Sequence, residues 1–266
     1  MGVINVTPDS FSDGGAALDP AAALDLAIAM EAAGADLIDV GAESTRPGAA
    51  PVGAADEIAR LLPVLRALAS KVGIPISIDT YKADVAAQAI DYGAAIVNDI
   101  SGLQYQPGLG AVVARRGVPV ILMHTRGRPS DMYAHADYGD VVAEVSSDLQ
   151  RCIDRALECG IARERILIDP GLGFAKHAEQ SFAALAGIDR LAELGFPLVV
   201  GPSRKSFMTS AAGPLDPEAR DWPTAAAVTA AVLGGAHVVR VHRVAEMVQV
   251  VRVADAIRNA RVATNL

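Results

Sequence analysis

Six charged or amide side chains stand where short apolar runs of this chain stop: Asp39, Asp79, Asn98, His124, Asp169 and Arg240. Asn5 and Gly201 close two further runs, and Met123 directly precedes His124. A lone Asp or Asn at such a place is well explained as a cap for the next helix. The whole series is not, because it mixes carboxylates, amides, an imidazole and a guanidinium. Such a set can donate and accept hydrogen bonds at fixed points around one small polar molecule, and the guanidinium can fork onto two oxygens of an anion. No Ser/His/Asp triad is visible.

The elements that must position these groups follow a repeated phrase. GIPISID from Gly73, GVPVILMH from Gly117 and GFPLVVG from Gly195 share one grammar, in which a Gly ends a helix and a Pro opens an apolar run. Pro is tolerated at the first residue of a strand because the ladder does not yet need its N–H. A second version opens with Gly-Ala: GADLID from Gly34, GAAIVN from Gly93 and GAHVVR from Gly235. GVIN from Gly2 and ILID from Ile166 complete eight strands. Between them lie amphipathic or Ala-rich stretches, among them Pro20 to Ala33, Ala54 to Lys71, Val141 to Glu158 and Val244 to Ala260. Continuously apolar strands imply a parallel sheet covered by helices. Eightfold β-α alternation closes most naturally into an α/β architecture of the (β/α)8, or TIM-barrel, class, whose catalytic face gathers the C-terminal strand tips. A doubly wound open sheet is the alternative, but no GxGxxG follows the first strand. With no linker or low-complexity segment, residues 1–266 are expected to form one domain.

Bulk properties exclude several classes. A net charge of −8 argues against a general nucleic-acid or anionic-membrane surface, so an anionic substrate requires a local cluster of cations. Mean hydropathy is positive, yet the longest apolar candidate, Ala225 to Ala236, is too short to span a bilayer. No basic-then-apolar leader opens the chain, so a soluble cytoplasmic protein is expected. Cys152 and Cys159 share one helical face without metal-ligand spacing and are expected to be packed thiols.

The segments MGVINVTPDSFSDGG, GAESTRPG, IDTYKADVAAQAI, VNDISG, LMH, IDPGLGFAK, GPSRKSFM and RVHRV occur in this order from Met1 to Val244. Together they resemble the signatures of the dihydropteroate synthases, over essentially the whole chain. The resemblance implies joining of a dihydropterin pyrophosphate to p-aminobenzoate by a homodimer that uses Mg2+. It also implies residue roles. Asp169, Asn98, Asp79 and Lys205 would read the hydrogen-bonding edge of the pterin, with Met123 and Phe174 on its faces. Arg240, His242 and Arg46 would take the pyrophosphate, and Asn5 would help to place its Mg2+. Phe11, Pro47, Ser203 and Lys205 would build the p-aminobenzoate pocket, with Thr45 and Arg46 contacting substrates. Arg204 either orients neighbouring groups or pairs with a carboxylate. The loops Thr7 to Asp19 and Gly41 to Gly53 would close over the substrates. A dissociative displacement of pyrophosphate is expected.

The chain departs from that pattern in two places. Arg243 stands where the family commonly has Asp, adding a positive charge beside the site or on the helix surface. Relatives also carry residues ahead of MGVINVT, so the first strand is expected to be short and the barrel base weakened. Two rivals use the same pocket: a barrel domain that binds methyltetrahydrofolate and passes its methyl group on, and a pterin-binding paralogue without catalysis. The Ala-rich stretch from Thr224 to Ala236 could form the dimer face or pack on the barrel.

Overall fold

Alternate side chains of a strand point to opposite faces of its sheet, and in this chain that period of two builds two separate cores. The computed structural model describes residues 1–7, 19–46 and 48–264. Its parallel strands are β1 (Gly2–Asn5), β2 (Ile38–Gly41), β3 (Ile76–Asp79), β4 (Ile96–Asp99), β5 (Val120–Met123), β6 (Ile166–Asp169), β7 (Val199–Val200) and β8 (Val238–Val239). The helices between and after them are α1 (Pro20–Ala32), α2 (Ala54–Ala69), α3 (Ala83–Asp91), α4 (Gly108–Arg116), α5 (Val141–Glu158), α6 (Ala178–Ala186), α7 (Ile188–Ala192), α8 (Thr209–Ala212), α9 (Asp221–Leu233) and α10 (Val244–Thr264).

Strands β1 to β6 pair in sequence order, and β7 pairs with β8. Two isolated bridges, Ile168 to Leu198 and Gly2 to Val241, join the two groups into a closed ring. The result is the expected (β/α)8 barrel. Closure at β1 is reinforced by the Met1 amino group, which donates to the Val239 carbonyl at 3.0 Å.

Ile4, Val40, Ile78, Val97, Leu122, Ile168 and Val200 face outward into the large core beneath the helices. The inward side chains near the bottom of the strands form a second, smaller apolar layer of Met1, Ile96, Ile121 and Val199, against which Leu37, Leu167 and Val238 pack. Two residues beyond Leu37, Ile96, Ile121, Leu167 and Val238 the same inward face carries Asp39, Asn98, Met123, Asp169 and Arg240, and in β3 Asp79 stands two residues beyond the buried Ser77. The apolar plug thus fills the floor of the barrel, and the polar groups sit above it at the C-terminal mouth.

Helix ends follow local chemistry. Asp140 caps α5 by accepting from the N–H groups of Val142 and Ala143, both at 3.0 Å. Gly117 closes α4 at φ +64°, a conformation that only Gly adopts without steric cost. The thiols are packed as expected, for a Cβ on Gly102 or Gly110 would come within 2.5 Å of the Sγ of Cys152 or Cys159 respectively. Ala227, Val228, Ala231 and Val232 of the Ala-rich α9 are buried, so that stretch packs on the barrel.

Three expectations about strand tips need correction. Asp39 lies inside β2, which runs on to Gly41. Gly201 and Arg240 lie one residue beyond strands only two residues long. His124 follows β5, but its ring turns away from the lumen towards α5, where Nε2 lies 3.0 Å from Asp148 Oδ2.

Candidate active site

Strand alternation puts carboxylates and amides on the inner wall, and closure brings their distant owners together. Arg240 reaches across the mouth, its Nε donating to Asp39 Oδ2 at 2.6 Å and its Nη2 to Asp79 Oδ2 at 3.0 Å. Asn98 donates through Nδ2 to the same Asp39 oxygen at 3.0 Å. Gly41 is the register partner of Asp79, and even a methyl group there would approach the Asp79 Cβ to 3.2 Å. The small residue therefore leaves the carboxylate its place.

The balance of charge in this cluster decides protonation. Burial, followed by the nearby Asp39 carboxylate, pushes Asp79 up to about 7 against the pull of Arg240. Burial also raises Asp169, opposed by Lys205, by the Gly171 N–H and by Arg240. Lys205 is drawn down to about 8, chiefly by burial, with Asp169 opposing the shift. Both Asp79 and Lys205 thus titrate near neutrality, a condition common where groups are tuned for chemistry.

Asp169 accepts the Gly171 N–H at 2.7 Å. The Lys205 ammonium donates to the Leu172 carbonyl and lies 4.7 Å from the centroid of the Phe174 ring. Phe174 packs with Met123, Ile100, Tyr81 and Tyr105 in a small cluster beside the polar groups. A flat heterocycle would find a carboxylate, an amide and an ammonium around its edge and apolar surface on its face.

The cations demanded by an anionic substrate gather at His242. Burial and then Arg240, Arg204, Arg46 and Lys205, in that order, hold its imidazole down to about 4. The ring is therefore neutral at pH 7, and its Nδ1 lies 2.9 Å from the Ser203 hydroxyl. An anion entering there would meet several positive charges and an imidazole free to polarise with them. Arg240 has five N–H donors, of which the two carboxylates take two. The local cluster of cations that an anionic substrate requires is thus present around His242.

Most of the expected site residues converge. Asp79, Asn98, Met123, Asp169, Phe174, Lys205, Ser203, Arg240 and His242 all line or adjoin the mouth. Asn5 ends β1 half-buried, in register with Gly41 and hence two strands from Asp79. Thr45 is half-buried and Arg46 exposed on the segment that follows β2. Phe11 and Pro47 lie outside the described residues, as does most of the first expected loop.

Arg204, at φ +60°, pairs through Nε with Asp221 Oδ1 at 3.2 Å, so its carboxylate partner is identified. Arg243 points outward, to Glu246 and, at 3.9 Å, to Asp221 Oδ2. Its charge therefore belongs to the helix surface.

Residues that the sequence left without a role also matter. Asp39 holds both Arg240 and Asn98, and its own Oδ1 is buried without a protein partner among the described residues, as is the Oγ of its register partner Ser77. Counting by twos back from Asp79 to Ser77 and from Gly41 to Asp39 would have placed both on the inner face. Ile100 and Tyr81 lie within the quoted VNDISG and IDTYKADVAAQAI segments, but nothing local shows that they face the pocket.

The profile of the pterin-binding enzyme family matches residues 1–242 of the chain. The dihydropteroate synthase of Synechocystis sp. is 47% identical over 93% of this chain and 86% of its own length. A Yersinia pestis dihydropteroate synthase solved with a sulfonamide drug superposes with a TM-score of 0.92 at 40% identity, covering 97% of this chain and 93% of that one. The Xanthomonas albilineans enzyme in complex with 7,8-dihydropteroate superposes with a TM-score of 0.87 at 39% identity, covering 97% and 92%.

Proposed function

The chain belongs to the pterin-binding enzyme family and has dihydropteroate synthase function, and from that premise we propose how its residues divide the work. The reaction joins (7,8-dihydropterin-6-yl)methyl diphosphate to 4-aminobenzoate and releases pyrophosphate. The observation that carries the assignment is the pairing of two unlike subsites at one barrel mouth. One is the Asp169, Asn98 and Lys205 edge beside Phe174 and Met123, and the other is the ring of cations around neutral His242.

Asp169 accepts two N–H bonds from the aminopyrimidine edge, and Asn98 supplies a donor and an acceptor beside it. Lys205 donates to the ring's carbonyl or to N5. Met123 and Phe174 close on the ring faces. Arg240, His242 and Arg46 hold the pyrophosphate, while Thr45 positions the substrates. The 4-aminobenzoate carboxylate meets Ser203 and Lys205, with Phe11 and Pro47 as apolar walls.

Mg2+ fits this donor set. No group of three or more His, Cys, Asp or Glu residues able to hold a metal exists among the described residues. One amide oxygen from Asn5, together with phosphate oxygens and water, is the kind of coordination Mg2+ accepts. When bound, it supplies neutralising charge for the departing pyrophosphate.

The displacement is dissociative in this reading. The methylene C–O bond breaks with its electron pair leaving on pyrophosphate, and the electron-rich dihydropterin carries the resulting cation. Arg240 and His242 stabilise the leaving anion, and ionised Asp79 balances the cation. The aniline nitrogen then forms the C–N bond with its lone pair and releases one of its two protons to solvent. A homodimer in the cytoplasm completes the proposal, supported by exposed Trp222, Val253 and Ile257 on the adjoining helices α9 and α10. No helix among the described residues is long and apolar enough to cross a membrane.

The decisive assay follows pyrophosphate release with and without 4-aminobenzoate and Mg2+, with the product identified by mass. Mg2+-dependent 7,8-dihydropteroate is expected, together with slow pyrophosphate loss when 4-aminobenzoate is omitted. A rate that depends steeply on nucleophile strength, with no release in its absence, would instead establish an associative path.

A pH profile follows from the two tuned groups. The kcat/KM for the pterin substrate is expected to rise through about 7 as Asp79 loses its proton. It should fall above about 8 as Lys205 gives up the proton it donates. A profile flat from pH 6 to 9 would remove both groups from these roles.

A further inference from the structure

Lys176 is 1% exposed, and all three hydrogens of its ammonium have acceptors. His124 Nδ1 lies at 2.7 Å, the Phe174 carbonyl at 3.1 Å and the Gly171 carbonyl at 3.2 Å. The direction of the first bond follows from the far side of the imidazole. There Asp148 Oδ2 faces His124 Nε2 at 3.0 Å and also accepts from Arg126 Nε at 3.0 Å. Partial burial would raise Asp148, but bonds to His124 and Arg126 hold it down to about 2, so it is a carboxylate and can only accept. His124, drawn down to about 4 by burial and by Lys176, is neutral. Its single proton is then on Nε2, leaving Nδ1 as the acceptor for Lys176. Burial lowers Lys176 itself well below the ordinary lysine value, with the charges of Lys205 and Arg126 adding to that shift and those of Asp169 and Asp148 opposing it.

What Lys176 grips is the loop after β6. Five consecutive carbonyls of that loop accept from side chains. Gly171 and Phe174 take Lys176, Leu172 takes Lys205, Gly173 takes the Tyr133 hydroxyl at 3.3 Å and Ala175 the Tyr138 hydroxyl at 2.9 Å. Ala175 sits at φ +47°, a conformation costing a non-Gly residue on the order of 1 kcal/mol, held only where its surroundings over-determine it. The seam to β5 is equally tight, since a Cβ on Gly171 would lie 2.0 Å from the His124 carbonyl oxygen. One side of that seam presents Met123, and the other presents Asp169 and Phe174.

We propose that Lys176 is a positioning residue for the pterin: by tying the 171–175 loop to His124 at the end of β5, it fixes Phe174 and Asp169 relative to Met123 across the pterin site. The inference rests on the assignment of the pterin to that pocket. Lys176 touches no substrate in this arrangement. It acts through the spacing of residues that do.

The test compares wild type with Lys176→Met and Asp148→Asn, the latter loosening His124 from outside the loop. Binding of dihydropterin pyrophosphate without 4-aminobenzoate is measured by calorimetry, KM and kcat by steady-state assay, and stability by urea unfolding. For Lys176→Met we expect the pterin Kd to rise about tenfold or more, since small misplacements of positioning groups carry large costs, with the 4-aminobenzoate KM at saturating pterin within about twofold. Asp148→Asn should shift the pterin Kd in the same direction by a smaller factor and decides alone if Lys176→Met does not fold. An unchanged pterin Kd in the folded variants, or both substrate affinities falling in parallel with stability, overturns the proposal. Failure of the wild type to bind the pterin substrate would instead overturn the pocket assignment, and the proposal with it.

Discussion

Replacing Arg240 with Met is expected to cost about 3–5 kcal/mol of stability, the usual penalty for removing one partner of a buried ion pair, and to reduce turnover about a hundredfold or more. Arg240 is the bridge between β8, β2 and β3, tying Asp39 and Asp79 to the far side of the ring. Asp39 is fully buried, so without the guanidinium its carboxylate keeps Asn98 and loses its counter-charge. Asp79, already raised to about 7, relieves part of the repulsion by taking a proton, which puts the cost towards the lower end. The same substitution removes the strongest donor to the pyrophosphate. Stability and catalysis should separate in the double variant Asp39→Asn/Arg240→Met. Its urea midpoint is expected to recover partly, because the stranded charge is gone, while kcat/KM stays low. A single variant with an unchanged midpoint would show that these ion pairs do not hold the mouth together.

Asp169→Asn should behave in the opposite way. The carboxylate is buried and raised by that burial, so exchanging it for a neutral amide relieves a desolvation cost. The amide oxygen can still accept the Gly171 N–H, which the carboxylate takes at 2.7 Å. The urea midpoint is therefore expected to hold or rise. Pterin recognition should collapse, because an amide cannot present two acceptor oxygens to two N–H groups. At about 1.5–3 kcal/mol for a hydrogen bond to a charged group, plus the misdirected NH2, the pterin Kd should rise about a hundredfold. The contrast is diagnostic: Arg240→Met loses stability and activity together, whereas Asp169→Asn keeps the fold and loses the ligand. A pterin Kd unaltered by Asp169→Asn would remove this carboxylate from the recognition edge.

The barrel was largely legible before any coordinates. The Gly-then-Pro openings marked where strands begin, and α5 spans Val141–Glu158, the same bounds that its pattern predicts. These are short-range signals: a strand buried on both faces must be apolar along its length, and a helix against it must carry an apolar stripe. The residue types of the site were legible for the same reason, since a polar group ending an apolar run stands out locally. The long signature series placed them in a known family.

Other features depended on closure. That His124 leaves the lumen while Met123 stays follows from alternation at the end of β5, where a shift of one residue exchanges the two faces. That Asp39 is a brace for Arg240 and Asn98 required β8 to arrive beside β1, bringing together residues from opposite ends of the chain. Neutral His242 and near-neutral Asp79 depend on the sum of charges and burial around them, which no stretch of sequence contains. Local periodicity specifies the strands, the helices and the kinds of side chain at the barrel mouth. Which of those side chains face one another, and which carry a proton, is set by the closed fold, because distance and desolvation arise when the ring closes and excludes water.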